Sequence, residues 1–287
     1  ILNFHDIQTT IVINITDLDP KIFSQSKDNR MEPNLYVEQN IHELLELSKQ
    51  LNFKDGMIFA KVSDFMPQMI KIIKNLIDQK DAYQSFGNIY LDKGKILGNL
   101  SKKLKNEIAE TRFDIAPGKK NSYDIHGGGT DLLIPHHENI NSILSKINKN
   151  FKYPRFWIHV GLVYNKNKKM SKSSNNGIKI KELLRKYNSN TLKLYSYSEH
   201  YSSQMSFNER KLRDYQKLDY KLQEYVLNFA KSNLNSKNQN PAFKKFMSYL
   251  DDDLNTIEAI NTLKNSLNEV SFQADIGKMV KILGLKY

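Results

Sequence analysis

The chain has 287 residues, 39% of them hydrophobic, no cysteine and a formal net charge of +12. That length holds one large domain with an appendage, or two domains. The composition excludes a disulfide framework and a thiolate metal site, no apolar run is long enough to span a bilayer, and no basic-then-apolar leader opens the chain. A reducing, cytoplasmic setting is the simple expectation, and the start at Ile1 suggests truncation or processing. The positive charge points to a polyanionic partner or to a genome of biased composition.

Thr9 to Ile15 is β-branched and apolar, which predicts a buried strand that ends at Thr16-Asp17. Residues 34–50 carry Leu35, Ile41, Leu44, Leu45 and Leu47 at helical spacing. Ser63 is the expected cap of a second helix running to residue 80, with Phe65, Met69, Ile72, Ile73, Leu76 and Ile77 on one face. Asn88 to Asp92 reads as a short strand, and 93–121 as polar and turn-rich. From 122 to 177 short apolar stretches alternate with glycine-rich and polar loops, the pattern of an α/β nucleotide-binding domain. After 180 the pattern is helical. Leu212, Tyr215, Leu218, Leu222, Tyr225 and Phe229 form one stripe. A flexible linker is expected over 232–240, then helices over 241–250 and 254–270.

Three constellations carry chemistry. Lys169-Met170-Ser171-Lys172-Ser173 alternates ammonium and hydroxyl groups on a loop, which suits stabilising charge that builds on a triphosphate. The bland alternative is a solvated basic loop. Asp124-Ile125-His126-Gly127-Gly128-Gly129-Thr130-Asp131 runs into Pro135-His136-His137-Glu138-Asn139. Its glycines let a backbone approach a flat ligand, and Asp131 lies where an acid could accept from ribose hydroxyls. A turn is the alternative. Adjacent histidines point in different directions, so the sequence reads His136-His137 as the start of a helix rather than as a metal pair. Asn14-Ile15-Thr16-Asp17-Leu18-Asp19 follows the first strand, where open α/β sheets bind ligands, or is an ordinary turn.

Taken in order, Asn-Ile-Thr-Asp, Asp-Ile-His-Gly-Gly-Gly-x-Asp-Leu, Pro-His-His-Glu-Asn, Trp-Ile-His-x-Gly and Lys-Met-Ser-Lys-Ser resemble the cysteinyl-tRNA synthetases of class I. His200-Tyr201-Ser202-Ser203, Met205-Ser206-Phe207 and Asp251-Asp252-Asp253-Leu254-Asn255-Thr256 extend the resemblance over nearly the whole chain. It implies a Rossmann-like α/β catalytic domain over 1–180 with a helical insertion at roughly 30–121, a connector over 181–207, and an all-helical tRNA-binding region over 208–287. It implies ATP with Mg2+, cysteine and tRNA(Cys) as substrates, and a monomer. Lys169 and Lys172, with Ser171 and Ser173, would hold the triphosphate. Gly128, Gly129 and Asp131 would line the adenosine site, with Thr16 and His136 at the amino acid.

Several departures accompany the resemblance. The family's His-Ile-Gly-His signature is absent. Ile140 stands where the family has a glutamate zinc ligand, and His136 alone of that ligand set is in place, so zinc is expected to be absent or weakly bound. Pro117-Gly118-Lys119-Lys120-Asn121-Ser122-Tyr123-Asp124 resembles a family segment that relatives separate from Asp-Ile-His-Gly-Gly-Gly by a few dozen residues. Here Asp124 serves both. Either residues of the whole protein are missing from this sequence, or the chain is a degenerate, non-catalytic paralogue that binds tRNA or nucleotide. A ligase that gives cysteine to a small amine is the nearest alternative activity.

Overall fold

The computed structural model describes residues 1–53, 56–92, 124–138, 140, 143, 154–166, 168–170, 176–229, 240–268 and 273–287. The chain forms two compact units. One comprises Thr10–Glu43 and Asp55–Val160, the other Ile1–Thr9, Leu44–Lys54 and Gly161–Tyr287.

In the first unit the β-branched segment forms β1 (Val12–Ile15), parallel to β2 (Ile58–Lys61), with Val12 opposite Ile58. The polar residues after β1 serve local structure. Asp19 caps α1 (Pro20–Asp28) by accepting from the Lys21 N–H at 2.8 Å, and Pro20 occupies the first turn, where its missing N–H costs nothing. Helix α2 spans Pro33–Gln50, as its leucine spacing predicts, and its residues from Leu44 belong to the other unit. Ser63 is not the helix cap expected. Its N–H and hydroxyl both donate to Asp17, at 3.0 and 2.5 Å, inside a 3₁₀ turn over Val62–Phe65. Helix α3 (Met66–Asp78) starts behind that turn with no side-chain cap, and buries Leu76 against Ala82 and Ile143. A hairpin follows, β3 (Ala82–Ser85) with β4 (Asn88–Leu91), turned by Phe86 and Gly87 at φ 47° and 79°. Two positive φ values match the twist of a two-residue hairpin turn. Strands β5 (Ile125–Gly129) and β6 (Phe156–Val160) are parallel, with His126 opposite Trp157 and Gly128 opposite His159.

The second unit opens its sheet with β7 (Val163–Asn165) and β8 (Lys168–Lys169), joined by β9 (Met205–Ser206) in the order β8-β7-β9. Its helices are α4 (Ile180–Leu184), α5 (Ser189–Ser196), α6 (Glu209–Phe229), α7 (Pro241–Asp251), α8 (Thr256–Ser266) and α9 (Gln273–Ile282). Asn188, Asn240 and Asn255 cap α5, α7 and α8 through their side-chain oxygens. Leu194 of α5 shares one core with Leu222, Phe246, Leu250, Leu263 and Met279, so α5 packs with the helices that follow it. Beside that core, Asp219 is 1% exposed and accepts from Thr191 Oγ1 at 2.6 Å and from the Tyr287 hydroxyl at 2.7 Å. Asp253 and Leu254 take consecutive left-handed conformations, φ 48° and 56°. His200 Nε2 meets the Asp253 carbonyl at 2.8 Å and the Tyr201 hydroxyl donates to its carboxylate at 2.7 Å. Among the described residues no helix is long and apolar enough to cross a membrane.

Candidate active site

Each unit carries part of the predicted site. In the first, the Gly-Gly-Gly run ends β5, at the carboxyl end of a parallel strand pair, where open α/β sheets bind ligands. Beyond it the chain makes a tight 3₁₀ turn, Thr130–Leu132, and a wider one, Leu133–His137, broken by an extended Ile134 (φ −127°, ψ 127°). His136 and His137 thus close an irregular wide turn, and helical backbone begins at Glu138, two residues beyond the expected start. The turn brings His137 inward, to 2% exposure, and leaves His136 half-buried. Asp131 and Thr16 are exposed.

The glycines have an internal reason as well as a ligand-facing one. A Cβ on Gly128 would lie 2.6 Å from His137 Cε1 and 2.9 Å from its Nε2, so the histidine ring occupies the space a side chain would need. A Cβ on Gly129 would strike the Asp131 carboxylate. His137 is fixed from other sides too. Its Nδ1 lies 2.8 Å from His159 Nε2, one ring donating and the other accepting. His126 packs edge-on to it at 4.7 Å and stacks on Trp157 at 4.6 Å. Nothing in the sequence motifs brings His126, Trp157 and His159 together. The signal for their meeting is the parallel register of β5 and β6, which sets His126 opposite Trp157 and His159 opposite Gly128, two residues along the same face.

The zinc site that the family resemblance implies does not fit these residues. Ile140, at the position of a carboxylate ligand, is an aliphatic side chain 3% exposed, and the neighbouring Ile143 packs with Leu76 and Ala82. The His137 and His159 nitrogens approach to hydrogen-bond distance, closer than the roughly 3.3 Å separating two nitrogens on a tetrahedral zinc. Among the described residues no group of three or more His, Cys, Asp or Glu is arranged to hold a metal.

The second unit carries Lys169, exposed on β8. Ser171, Lys172 and Ser173 lie outside the described residues. The Asn176 side chain donates to the Lys169 carbonyl at 3.0 Å and to that of Lys168 at 3.3 Å, and Asn165 donates to the Asn176 carbonyl at 3.1 Å. The glycine of Trp-Ile-His-x-Gly has its own constraint. The Gly161 N–H donates to the Tyr201 carbonyl at 2.8 Å, and a Cβ there would collide with the Ser203 backbone. Two motifs some forty residues apart in sequence thus meet at a position open only to glycine.

Comparison with known proteins matches the family model for the class I (C) tRNA synthetase catalytic domain over residues 1–123 and 117–217. The matched stretches overlap at 117–123, where the sequence bridges two family motifs. The cysteine–tRNA ligase of Ureaplasma parvum serovar 3 is 30% identical over 94% of this chain and 73% of its own length. That of Methanococcus vannielii is 29% identical over 93% and 68%. Among solved structures, Mycobacterium tuberculosis methionyl-tRNA synthetase bound by methionyl-adenylate is similar in fold, with a TM-score of 0.63 at 11% identity over 98% of this chain and 77% of that one. The units described above thus hold a class I synthetase catalytic fold, Rossmann-like in its parallel strand pairs. The chain belongs to the cysteine branch of the class I tRNA synthetase family.

Proposed function

We propose that this protein is a cysteine–tRNA ligase that works in two steps. The cysteine carboxylate attacks the α-phosphorus of ATP, held as its magnesium complex, and pyrophosphate leaves. The terminal adenosine hydroxyl of tRNA(Cys) then attacks the carbonyl of the adenylate, and AMP leaves. Neither step requires a dedicated general base, since positioning and charge stabilisation supply the rate. Family membership together with the Gly128-Gly129 end of a parallel strand pair carries this reading.

In this reading Gly128 and Gly129 admit the adenosine and Asp131 accepts from the ribose hydroxyls. Lys169 and Lys172, with Ser171 and Ser173, balance charge on the triphosphate as pyrophosphate departs. Thr16 and His136 contact cysteine, which is recognised by shape and hydrogen bonds, since the donor set around His136 does not suit zinc. Residues 1–180 act as the catalytic domain, with 30–121 as an insertion and 181–207 as a connector, and the helices from 208 contact tRNA. The protein acts as a monomer.

The test is cysteine-dependent exchange of pyrophosphate into ATP by the full chain, followed by acylation of tRNA(Cys). Exchange with acylation is the expected result. Exchange with transfer only to a small amine such as an amino sugar would turn the reading toward the amine ligase, and no exchange at all would defeat it. Lys172→Ala should slow exchange by about 10²-fold, the cost of one contact made to transition-state charge.

A further inference from the structure

We infer that Asn176, seconded by Asn165, is a positioning residue that sets where Lys169 presents its ammonium group; the inference rests on the adenylation reading above. Lysine acts as a point charge on a flexible four-carbon stem, so its usefulness in a transition state depends on where its backbone is held. Strand β8 is two residues long and sits at the edge of its three-stranded sheet. It reaches β7 through a tight reversal in which Lys166 takes φ 49°, and pairs through Asn165 with Lys168 and Tyr164 with Lys169. So short an edge strand has few ladder bonds of its own.

The Asn176 amide makes up the deficit. Its NH₂ group donates to the carbonyls of both β8 residues, and its own backbone carbonyl accepts from Asn165, the last residue of β7. The main chain adds the Met170 N–H to the Val163 carbonyl at 2.9 Å. Both carbonyls of β8 are thereby tied to one side chain, and the last residue of β7 to the same residue's main chain. Asparagine suits the task because it offers two donors and can be held through its main-chain carbonyl. Aspartate fills the same space with no donor, and would turn oxygens toward two carbonyls.

The experiment measures cysteine-dependent ATP–pyrophosphate exchange with the full chain carrying Asn176→Ala, Asn176→Asp, Asn165→Ala, Lys169→Ala, or Lys169→Ala combined with each asparagine change. Asn176→Ala and Asn176→Asp should each lower kcat about 10- to 100-fold, as expected for a catalytic group displaced by about 1 Å, with KM for ATP changed far less. Asn165→Ala should give a smaller loss in the same direction. In the Lys169→Ala background either asparagine change should cost less than about 2-fold, because residues that act through one another are not additive. Losses that multiply equally in both backgrounds, or an Asn176→Asp variant at full rate beside a slow Lys169→Ala, would overturn the inference and leave the ligase reading standing. An unsubstituted chain without exchange overturns both, and an unslowed Lys169→Ala overturns the inference alone. If the Asn176 variants fail to melt cooperatively by circular dichroism, the Asn165→Ala cycle decides the matter alone.

Discussion

Replacing Gly128 by alanine separates two reasons for a glycine at the end of β5. If it serves only ligand approach, Gly128→Ala leaves the folded chain intact and weakens ATP binding. If it serves packing, the new methyl meets a ring that has nowhere to go. The Cβ would sit 2.6 Å from His137 Cε1, roughly 1 Å inside ordinary carbon contact, and His137 is buried, bonded to His159 and flanked by His126. Overpacking costs about 1–3 kcal/mol, and displacing the ring loses a hydrogen bond of about 1 kcal/mol, so we expect a loss of about 2–4 kcal/mol. At a urea sensitivity of about 2 kcal/mol per molar, the unfolding midpoint falls by about 1–2 M. Trp157 is the only tryptophan of the chain and lies 5.0 Å from the His137 ring, so its fluorescence reports on this site. In a His137→Ala background, with the obstructing ring removed, the alanine should cost less than about 1 kcal/mol. An unshifted midpoint for Gly128→Ala, or the same penalty in both backgrounds, would refute the packing argument.

Three further outcomes are expected. Tyr287→Phe removes one of the two hydrogen bonds to the buried Asp219 and should lower stability by about 1.5–3 kcal/mol at neutral pH, read from urea or thermal unfolding. Burial, and then the bond to Asp219, hold the Tyr287 phenol well above its usual range, so its contribution is fully present below pH 10 and is lost as pH rises beyond that. The stability lost between pH 8 and pH 10.5 should therefore shrink in Tyr287→Phe, and an unchanged loss counts against the assignment. Protein purified without chelator should carry well under one equivalent of zinc by elemental analysis; near-stoichiometric metal surviving dialysis would show that ligands other than those described complete a site at His136. Arg210, Arg213 and Lys217 are exposed along α6, and changing all three to glutamate should weaken tRNA binding and flatten its salt dependence while sparing pyrophosphate exchange. Charge reversal is the better probe here than deletion from Asn208, because Leu194 of α5 would lose its buried partners. Unaltered affinity at every salt concentration would separate α6 from tRNA.

Periodicity reached the elements whose apolar residues repeat strongly. Helices α2, α6, α7 and α8 and strands β1 and β4 lie within a few residues of where spacing puts them. It missed α1, whose polar sequence hides everything except the Asp19-Pro20 start signal, and α9, where Gly277 interrupts a short pattern. A serine before an apolar run reads as a cap, and only the fold brings the Asp17 carboxylate to Ser63. At the candidate site, residue types were legible and partnerships were not. Nothing local in Gly128 announces His137, and nothing in Gly161 announces Ser203, because both constraints arise from segments that meet only after the strands pair. Nothing local in Asn176 announces its double bond to β8, which depends on the reversal at Lys166.

The second unit gathers residues from the opposite ends of the sequence. Phe4 rests on Phe243 at 5.8 Å and His5 reaches the Asp251 carboxylate at 2.9 Å. On the ribosome, residues 1–9 emerge long before α7 exists, and at about 5–20 residues per second they wait roughly 12–50 s for their partners. Once residue 160 has emerged the first unit has every one of its residues available, while Phe4 and His5 still await their partners on α7. The order of synthesis therefore favours the first unit forming early and the second closing last. An exposed Leu2-Asn3-Phe4 stretch is a natural handle for a chaperone during the delay. Folding of the finished chain after dilution from denaturant carries no such enforced wait, so the two routes should differ most in the dependence of yield on chaperone.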